Sequence, residues 1–392
     1  MLNRRTLRIK AFKSLYALEN LKQANMNLAR EQVEQAFAPD LNSMTPQDPE
    51  LLDAEKEKAL IQFDDLKCGY DAGADWPASA GIEKVVEDAL DVMGADDQKD
   101  QAQLEKALFK DIESIRLGQF FIFQLLDDLG FQNKKLVDER EELDRVLKHP
   151  GKSGFNLYNN RVLKKITSNP IYKDAIRQKA IFRINDPDLL RDWYKGILSK
   201  NEVFKEYIGK KDVDYQDDWN MVDYLVRQVI FTNEEIGDYL SEQDINWLDN
   251  RPVIKSLVLK TIKTVKEEES EIEFAEFSYN WEDDSEFLRK LYRKTAEDST
   301  YLEEIVKNKL ENWDINRIAL TDKVILKTAI SEMINFPSIP VKVSINEYIE
   351  MSKIYSTPKS RKFINGILDV ISDKLLNEKI VRKSGRGLID NK

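Results

Sequence analysis

The chain has 392 residues, of which 42% are hydrophobic and 33% are charged. This balance is typical of a soluble, helix-rich protein, and the length allows two or three compact units with cores of their own. Glycine (14) and proline (11) are too scarce for the many short turns of an all-β protein. No run of about 18 uncharged apolar residues occurs, and the start MLNRRTLRIKAF lacks the apolar core of a secretory signal. We therefore expect a cytoplasmic protein with no membrane association.

The residues that most often bind metals or form disulfides are rare in this chain. Cys68 is the only cysteine and His149 the only histidine. An intrachain disulfide and a multi-cysteine zinc site are therefore excluded, and neither a metal nor a cofactor is expected. Three acidic pairs lack supporting histidines, so we expect them to face solvent. They are Asp64-Asp65, Asp127-Asp128 and Asp283-Asp284.

The net charge of −11 is unevenly distributed along the chain. Residues 1–35 carry a balance of +4 and residues 342–392 a balance of +5, which leaves −20 for residues 36–341. Two basic ends thus flank an acidic middle. Because contact with phosphate depends on local patches and not on total charge, the ends are candidates for binding nucleic acid.

The first segment, from Asn3 to Gln35, predicts one amphipathic helix. Its apolar residues fall within about 80° of one another on a wheel of about 100° per residue. They are Leu7, Ala11, Leu15 and Leu18. The opposite side carries Arg5, Ile9, Lys13 and Tyr16.

The acidic middle predicts a mostly helical region. Residues 38–100 mix turn-forming and acidic residues, which favours short helices on loops. Residues 104–147 have a helical pattern with an apolar run, Phe120–Leu126, that should be buried, and a turn at 149–154 ends it. Further helices are predicted at about 171–184, 187–209, 219–231 and 251–267, with a linker at 275–284.

The last hundred residues predict a compact run of helices at about 285–296, 299–311, 322–335, 344–355 and 358–377. Residues 186–194 (DPDLLRDWY) align without gaps with residues 284–292 (DSEFLRKLY). Two explanations of this likeness remain open. The segments could be two amphipathic helix pairs with similar packing requirements, or they could be a degenerate duplication. The predicted fold class is all-α, a helical bundle of two subdomains with a large helical insertion. The predicted divisions are a basic helix at 1–35, the insertion at 36–280, a C-terminal subdomain at 281–380 and a basic flexible tail at 381–392.

Local signals predict where the C-terminal helices begin. Thr321 can cap one helix, and Ser344 with Glu347 has the Ser-x-x-Glu spacing of a capping box. Thr357 followed by Pro358 predicts the start of the last helix. Cations then lie on its first turn, beside open backbone amides, which together favour a phosphate site. They are Lys359, Arg361 and Lys362.

The two ends of the chain resemble the NusB family. The stretch from Asn312 to Asp369 contains NWDINRIALTDKVILKTAISEM and then IPVKVSINEYIEMSKIYSTPKSRKFINGILD. It is similar to the family's D-R-A-I-L-R-x-A-x-Y-E-(L/M) helix and the following I-P-x-K-V-(A/S)-I-N-E…F-V-N-G-V-L segment. The start, NRRTLRIKAFKSLYALE, resembles the family's basic first helix. The resemblance covers about 20 residues at the start and about 110 at the end, separated by a long insertion.

This resemblance implies a transcription antitermination factor that binds RNA and is not an enzyme. The implied partners are a boxA-type single-stranded RNA, the small-subunit ribosomal protein NusE and the RNA polymerase elongation complex on ribosomal RNA operons. The implied RNA contacts are Arg4, Arg5, Arg8 and Tyr16 on the first helix, with Tyr355 and Lys359 near the last helix. Asp322 matches an acidic position that faces the ribosomal protein.

The chain departs from the family pattern at several positions. Pro358-Lys359 replaces the usual acidic pair, which should strengthen the attraction for phosphate. Tyr355 replaces the usual Phe and keeps a stacking face, whereas Tyr348 replaces a usual small Ala. Ser331 replaces the usual Tyr, so a partner contact made through that ring would be lost.

Three other interpretations compete with antitermination. The basic first helix could be only a solvated surface, although a tyrosine beside cations is what recognition of single-stranded RNA requires. NusB-like domains also precede RNA methyltransferase modules, but no G-x-G-x-x-G motif and no βαβ alternation occurs here, and Cys68 lacks a Pro-Cys context. The third alternative is a protein-binding scaffold that works through the acidic insertion. A titration with a boxA-like RNA, with and without the ribosomal protein, distinguishes them.

Overall fold

The structure is a computed structural model that describes residues 2–39, 46–67, 80–146, 157–178, 184, 186–210, 212–269, 271–309 and 318–389. Cys68, His149, the predicted turn at 149–154 and the motif residues 312–317 lie outside the described residues. The chain divides into two compact units. Unit 1 comprises Met1–Asn3 and Phe109–Trp281, and unit 2 comprises Arg4–Leu108 and Glu282–Lys392.

The described residues form α-helices and contain no β-strand, which confirms the all-α prediction. None of these helices is long and apolar enough to cross a membrane. In chain order they are α1 (Arg4–Ala36), α2 (Pro49–Lys67), α3 (Ala80–Val146), α4 (Arg161–Ser168), α5 (Pro170–Arg177), α6 (Pro187–Trp193), α7 (Glu202–Gly209), α8 (Tyr215–Tyr224), α9 (Glu234–Gln243), α10 (Trp247–Thr264), α11 (Trp281–Glu297), α12 (Ser299–Lys307), α13 (Leu320–Asn335), α14 (Val341–Tyr355) and α15 (Pro358–Asn377).

The predicted short helices on loops between residues 38 and 100 are wrong. α2 has 19 residues, and α3 runs for 67 residues from Ala80 through the region where a separate helix was expected to begin at residue 104. Acidic residues in 80–100 misled the prediction, because Glu87, Asp88 and Asp91 lie on the exposed side of a helix whose other side is apolar. The insertion is helical in its described residues, as predicted.

In unit 2, α1 packs against α13 through its apolar stripe. Leu7, Ala11, Leu15 and Leu18 are all buried, which confirms that α1 joins the C-terminal helices. Two ion pairs reinforce this packing. Arg8 donates to Glu332, and Lys327 Nζ donates to Glu19 Oε1 at 2.6 Å. The far half of α1 forms a second core with α2 and the start of α3, made by Ala29, Val33, Ala59, Phe63, Ile82, Val86 and Ala89.

The residues predicted as a flexible tail lie against the end of α13. Lys383 Nζ donates to the carbonyl oxygens of Met333 at 2.8 Å and Phe336 at 3.0 Å. The backbone amide of Ser384 donates to Pro337 O, and a Cβ at Gly387 would lie only 2.0 Å from that same oxygen. The tail therefore satisfies carbonyl groups that a helix end leaves open.

Unit 1 contains the part of α3 from Phe109 onward together with α4 to α10. The run Phe120–Leu126 is buried, as predicted from its apolar composition. The region predicted as one helix at 187–209 is instead α6, a π-helical turn at Tyr194–Leu198, and α7. Asn201 ends that continuity because its side chain caps α7, accepting a hydrogen bond from Phe204 N.

Candidate nucleic-acid interface

The start of α15 carries a group of exposed cations. Thr357 caps the helix by accepting a hydrogen bond from Ser360 N at 3.2 Å, and Pro358 occupies the first turn, which confirms the predicted helix start. Lys359, Arg361 and Lys362 are all exposed, and no side-chain hydrogen bond or ion pair engages them within the described part of the chain. The first turns of α15 therefore present uncompensated positive charge at the positive end of the helix dipole.

A shallow groove of about 330 Å³ lies between α14 and α15. Arg361 and Lys362 line one side of it, and Ile349 and Lys353 line the other. Lys353 forms an ion pair with Glu350, so it is partly compensated. The groove is open to solvent, has apolar and cationic walls, and can accept an extended anionic chain.

Aromatic rings connect α1 to the end of α14. The ring of Phe12 lies 5.1 Å from that of Tyr355 and 6.4 Å from that of Tyr16, measured between centroids. Lys13 Nζ lies 5.6 Å from the centroid of Tyr355. Tyr16 is 37% exposed and Tyr355 is half-buried. The two tyrosines predicted to contact RNA thus belong to one run of three rings with an ammonium group beside it.

Arg5 lies on the exposed side of α1, as predicted, but it has a partner. Its Nε and Nη2 atoms donate to the two carboxylate oxygens of Glu347 on α14, both at 2.9 Å. The hydrogen bond from Arg5 is the main reason that the pKa of Glu347 lies below its ordinary value. Any phosphate that binds Arg5 must therefore compete with a carboxylate already in place.

Arg8 is placed differently from Arg5, although both belong to the same basic motif. Arg8 is only 4% exposed, and its Nε and Nη2 atoms donate to Glu332 at 2.7 and 2.9 Å. Burial favours the neutral form of Arg8, but the hydrogen bonds to Glu332 and its charge outweigh this and keep the pKa of the guanidinium raised. Arg8 therefore holds α1 against α13 and offers little surface to a ligand.

Glu332 also binds two hydroxyl groups of α14. Ser344 Oγ donates to it at 2.7 Å and Tyr348 OH at 3.1 Å. Tyr348 is fully buried, so the ring that replaces a small residue in the family pattern packs into the core between the helices. The same contacts show that the predicted capping box is wrong. Ser344 lies inside α14, because the helix begins at Val341, directly after Pro340.

The remaining predicted site residues are each bound within unit 2. Arg4 Nε donates to Asp284 at 3.3 Å, and its guanidinium lies 4.4 Å from the centroid of Phe287. Asp322 is buried at the start of α13 and accepts a hydrogen bond from Ser356. Thr321 caps nothing, because α13 begins one residue earlier with Ala319 at the cap position.

The structure therefore brings together some of the predicted residues and separates others. Tyr16, Tyr355 and the α15 cations lie on exposed or half-buried surface, whereas Arg8 and Asp322 are buried. Sequence reasoning missed Phe12 as the ring between the two tyrosines and Lys353 as a wall of the groove. The spacing of Phe12 and Tyr16, four residues apart on a helix, was the signal available for the ring contact.

Residues 252–373 match the family model described as the NusB family. This part of the chain is therefore similar to the NusB family. The match begins within α10 and ends within α15, so it includes Glu332, Glu347 and the cations of α15 but not α1. α1 enters the same compact unit as these NusB-family helices through its packing on α13.

Three curated relatives are named as transcription antitermination protein NusB. Those of Chloroherpeton thalassium and Salinibacter ruber are both 40% identical, over 105 and 104 residues, and that of Carboxydothermus hydrogenoformans is 39% identical over 90 residues. These matches cover 27%, 26% and 23% of the chain. They cover 50%, 65% and 62% of the relatives, so the chain spans between half and about two thirds of their length.

A solved structure of NusB from T. maritima is also similar to the chain. It is 24% identical, and the likeness covers 40% of this chain and 91% of that one, with a TM-score of 0.24.

Proposed function

We propose that this protein is a transcription antitermination factor that binds a boxA-type single-stranded RNA together with the ribosomal protein NusE. In this proposal the RNA lies along α15 and stacks on Tyr16 and Tyr355, whose rings both lie beside the buried ring of Phe12. Its partner complex is RNA polymerase elongating through ribosomal RNA operons. The protein acts by binding and performs no chemical step.

The observation that carries the proposal is the set of unpaired cations on the first turns of α15, close in sequence to Tyr355. Single-stranded RNA is recognised by stacking of its bases on aromatic rings and by cations that hold the phosphates, and this surface offers both. Lys359, Arg361 and Lys362 supply the cations, and the positive end of the helix dipole adds to the attraction for an anion. The NusB-family match, which includes this helix, supports the same assignment.

Arg5 can bind an RNA phosphate only by giving up its ion pair with Glu347. The guanidinium already binds Glu347, so a phosphate gains a cation but leaves a carboxylate without its hydrogen bonds. We therefore assign the larger share of phosphate binding to α15 and a smaller share to Arg5. Arg8 takes a supporting role, because it fixes the orientation of α1 from within the core.

The test is a titration of a fluorescent boxA-like RNA into the full chain at several salt concentrations. Lys359→Ala and Arg361→Ala should each weaken binding and lower the salt dependence by about 0.7 per lost phosphate contact. Tyr16→Ala should cost about 1–3 kcal/mol with little change in the salt dependence, since stacking releases no counterions. Lys374→Ala is the matched control, because Lys374 lies on the last turn of the same helix and pairs with Glu378. Unchanged affinity and salt dependence for both α15 variants would rule out this surface.

The proposed contact with NusE is tested separately at Asp322. If Asp322 contacts NusE, Asp322→Asn should weaken binding of the ribosomal protein while RNA binding by the chain alone stays the same. Because the carboxylate accepts a hydrogen bond from Ser356, Ser356→Ala serves as the companion variant. Equal loss of partner binding in both variants would point to a disturbed α14–α15 turn and would count against a direct contact.

A further inference from the structure

Unit 1 carries an exposed group of aromatic and cationic side chains at the junction of α3 and α4. The group, here called the Phe131 patch, consists of Phe131, Lys134, Tyr158 and Lys164. Phe131 is 56% exposed, and its ring meets that of Tyr158 edge-on at 6.4 Å between centroids. Lys134 Nζ and Lys164 Nζ lie 4.6 and 5.3 Å from the centroid of Tyr158.

Buried contacts hold this patch in place. A Cβ at Gly130 would lie 3.3 Å from Tyr158 N, so the glycine allows the turn at Leu157–Asn159 to approach α3 closely. Asn133 is buried and accepts a hydrogen bond from Leu157 N at 2.6 Å. Its amide donates to Tyr194 OH at 2.7 Å, which fixes the orientation of the side chain. These buried contacts therefore fix the backbone positions from which the side chains of the patch extend.

The charges of the patch are not neutralised by ion pairs. Within the described residues no carboxylate pairs with Lys134 or Lys164, and the only hydrogen-bond acceptor of Lys164 is Asn159 Oδ1 at 3.0 Å. The acidic residues nearest along this face of α3 are Asp127, Asp128 and Asp138, one turn away on either side of the patch.

We propose that the Phe131 patch is a second contact for single-stranded RNA, located in the insertion and separate from the α15 surface. A base stacks on the exposed ring of Phe131, and the ammonium groups of Lys134 and Lys164 hold the adjoining phosphates. An acidic peptide would match the lysines but would leave the largest exposed ring of the patch unused. The combination of ring and cations therefore favours RNA.

The experiment uses the full chain and a short oligouridine that carries 4-thiouridine. After irradiation, mass spectrometry should find crosslinks in the peptides that contain Phe131 or Tyr158. These crosslinks should persist in a Lys359→Ala, Arg361→Ala, Lys362→Ala variant, whose α15 surface is neutralised. Persistence in that variant separates this inference from the proposed function, because either surface can then fail alone.

Affinity measurements in the same neutralised variant complete the test. Phe131→Ala should weaken oligouridine binding about five-fold or more, and Lys134→Ala should lower its salt dependence. Phe131 is exposed, so its loss should leave the circular dichroism spectrum unchanged, and Lys110→Ala on the same helix is the matched control. An absence of crosslinks in these peptides together with unchanged affinity for Phe131→Ala would overturn the inference. So would binding of oligoglutamate that depends on the lysines but not on Phe131.

Discussion

Replacing Glu332 by leucine tests the buried charge network that joins α1 to α13 and α14. The carboxylate is fully buried and accepts hydrogen bonds from Arg8, Ser344 and Tyr348. Removing one partner of a buried ion pair costs about 3–5 kcal/mol, because the other charge stays buried without compensation. The two hydroxyl groups also lose their acceptor, and each unmet donor adds about 1–3 kcal/mol before relaxation. We therefore expect the stability of unit 2 to fall by at least about 4 kcal/mol.

A second variant separates the charge from the shape of the site. Arg8→Met combined with Glu332→Leu removes both charges, and a buried pair replaced by apolar side chains is often close to neutral. The double variant should therefore recover much of the stability that the single variant loses. Glu350→Leu is the control, because Glu350 is a partly exposed residue of α14 whose pair with Lys353 contributes about 0–1 kcal/mol.

The assay must report on unit 2 alone, since a chain with two units need not unfold in one step. Four of the six tryptophans lie in unit 1, so tryptophan fluorescence would follow mainly the wrong unit; they are Trp193, Trp219, Trp247 and Trp281. Hydrogen exchange followed by mass spectrometry gives an opening free energy for each peptide, and peptides of α13 and α14 report directly on the network. A loss below about 1 kcal/mol in those peptides, or an equal loss in unit 1, would refute the reasoning.

Three smaller predictions concern other contacts. The pKa of Glu347 is lowered chiefly by its hydrogen bond from Arg5, so the stabilisation by this pair is present above the ordinary pKa of 4.5 and disappears as the pH falls through the lowered value. Because Arg5 is exposed, the loss should stay below about 1 kcal/mol by hydrogen exchange of α14. Burial lowers the pKa of Lys383 from 10.5 to about 8. The free energy of unfolding should therefore fall as the pH falls from 10.5 to about 8. NMR of the ¹³C-methylated amine measures the pKa itself. Asn133→Ala should destabilise unit 1 by about 1–3 kcal/mol in hydrogen exchange, because Leu157 N loses its acceptor and Tyr194 OH loses the hydrogen bond from Asn133.

The sequence predicted those features that repeat along a helix. The stripe of Leu7, Ala11, Leu15 and Leu18 recurs with the helical period, so both the existence of α1 and its buried side could be inferred. The start of α15 was also predicted, because Thr357 and Pro358 act on the backbone directly beside them. Such signals are local, and later packing did not override them.

The capping box predicted at Ser344 and Glu347 was wrong because its signal, although local, is not specific to the start of a helix. Ser344 and Glu347 have the spacing of a capping box, but the same spacing occurs wherever a serine and a glutamate lie one turn apart inside a helix. Pro340 was the better signal for the start of α14, since proline fits the beginning of a helix and ends the loop before it.

The difference between Arg5 and Arg8 could not be predicted from the motif that contains them. Both are basic and lie three residues apart on one helix, but only Arg8 meets a carboxylate that is itself buried. That carboxylate belongs to Glu332, which is 324 positions away in the chain. Whether a cation faces solvent or the core therefore depends on a partner that no local pattern identifies. The same holds for Asp322, which is buried and accepts a hydrogen bond from Ser356, 34 positions away in the chain.

The C-terminal segment follows α15 in the chain but completes the end of α13, against which it lies. Lys383 supplies the donors for the final carbonyls of α13, and Gly387 lets the chain close over Pro337 where any larger residue would meet its oxygen. A chain cut short before Lys383 would leave those carbonyls open, and α13 would fray from the end. Glu332 lies within the last turn of α13, so a truncation before Lys383 would also loosen the ion pair that holds α1 in place.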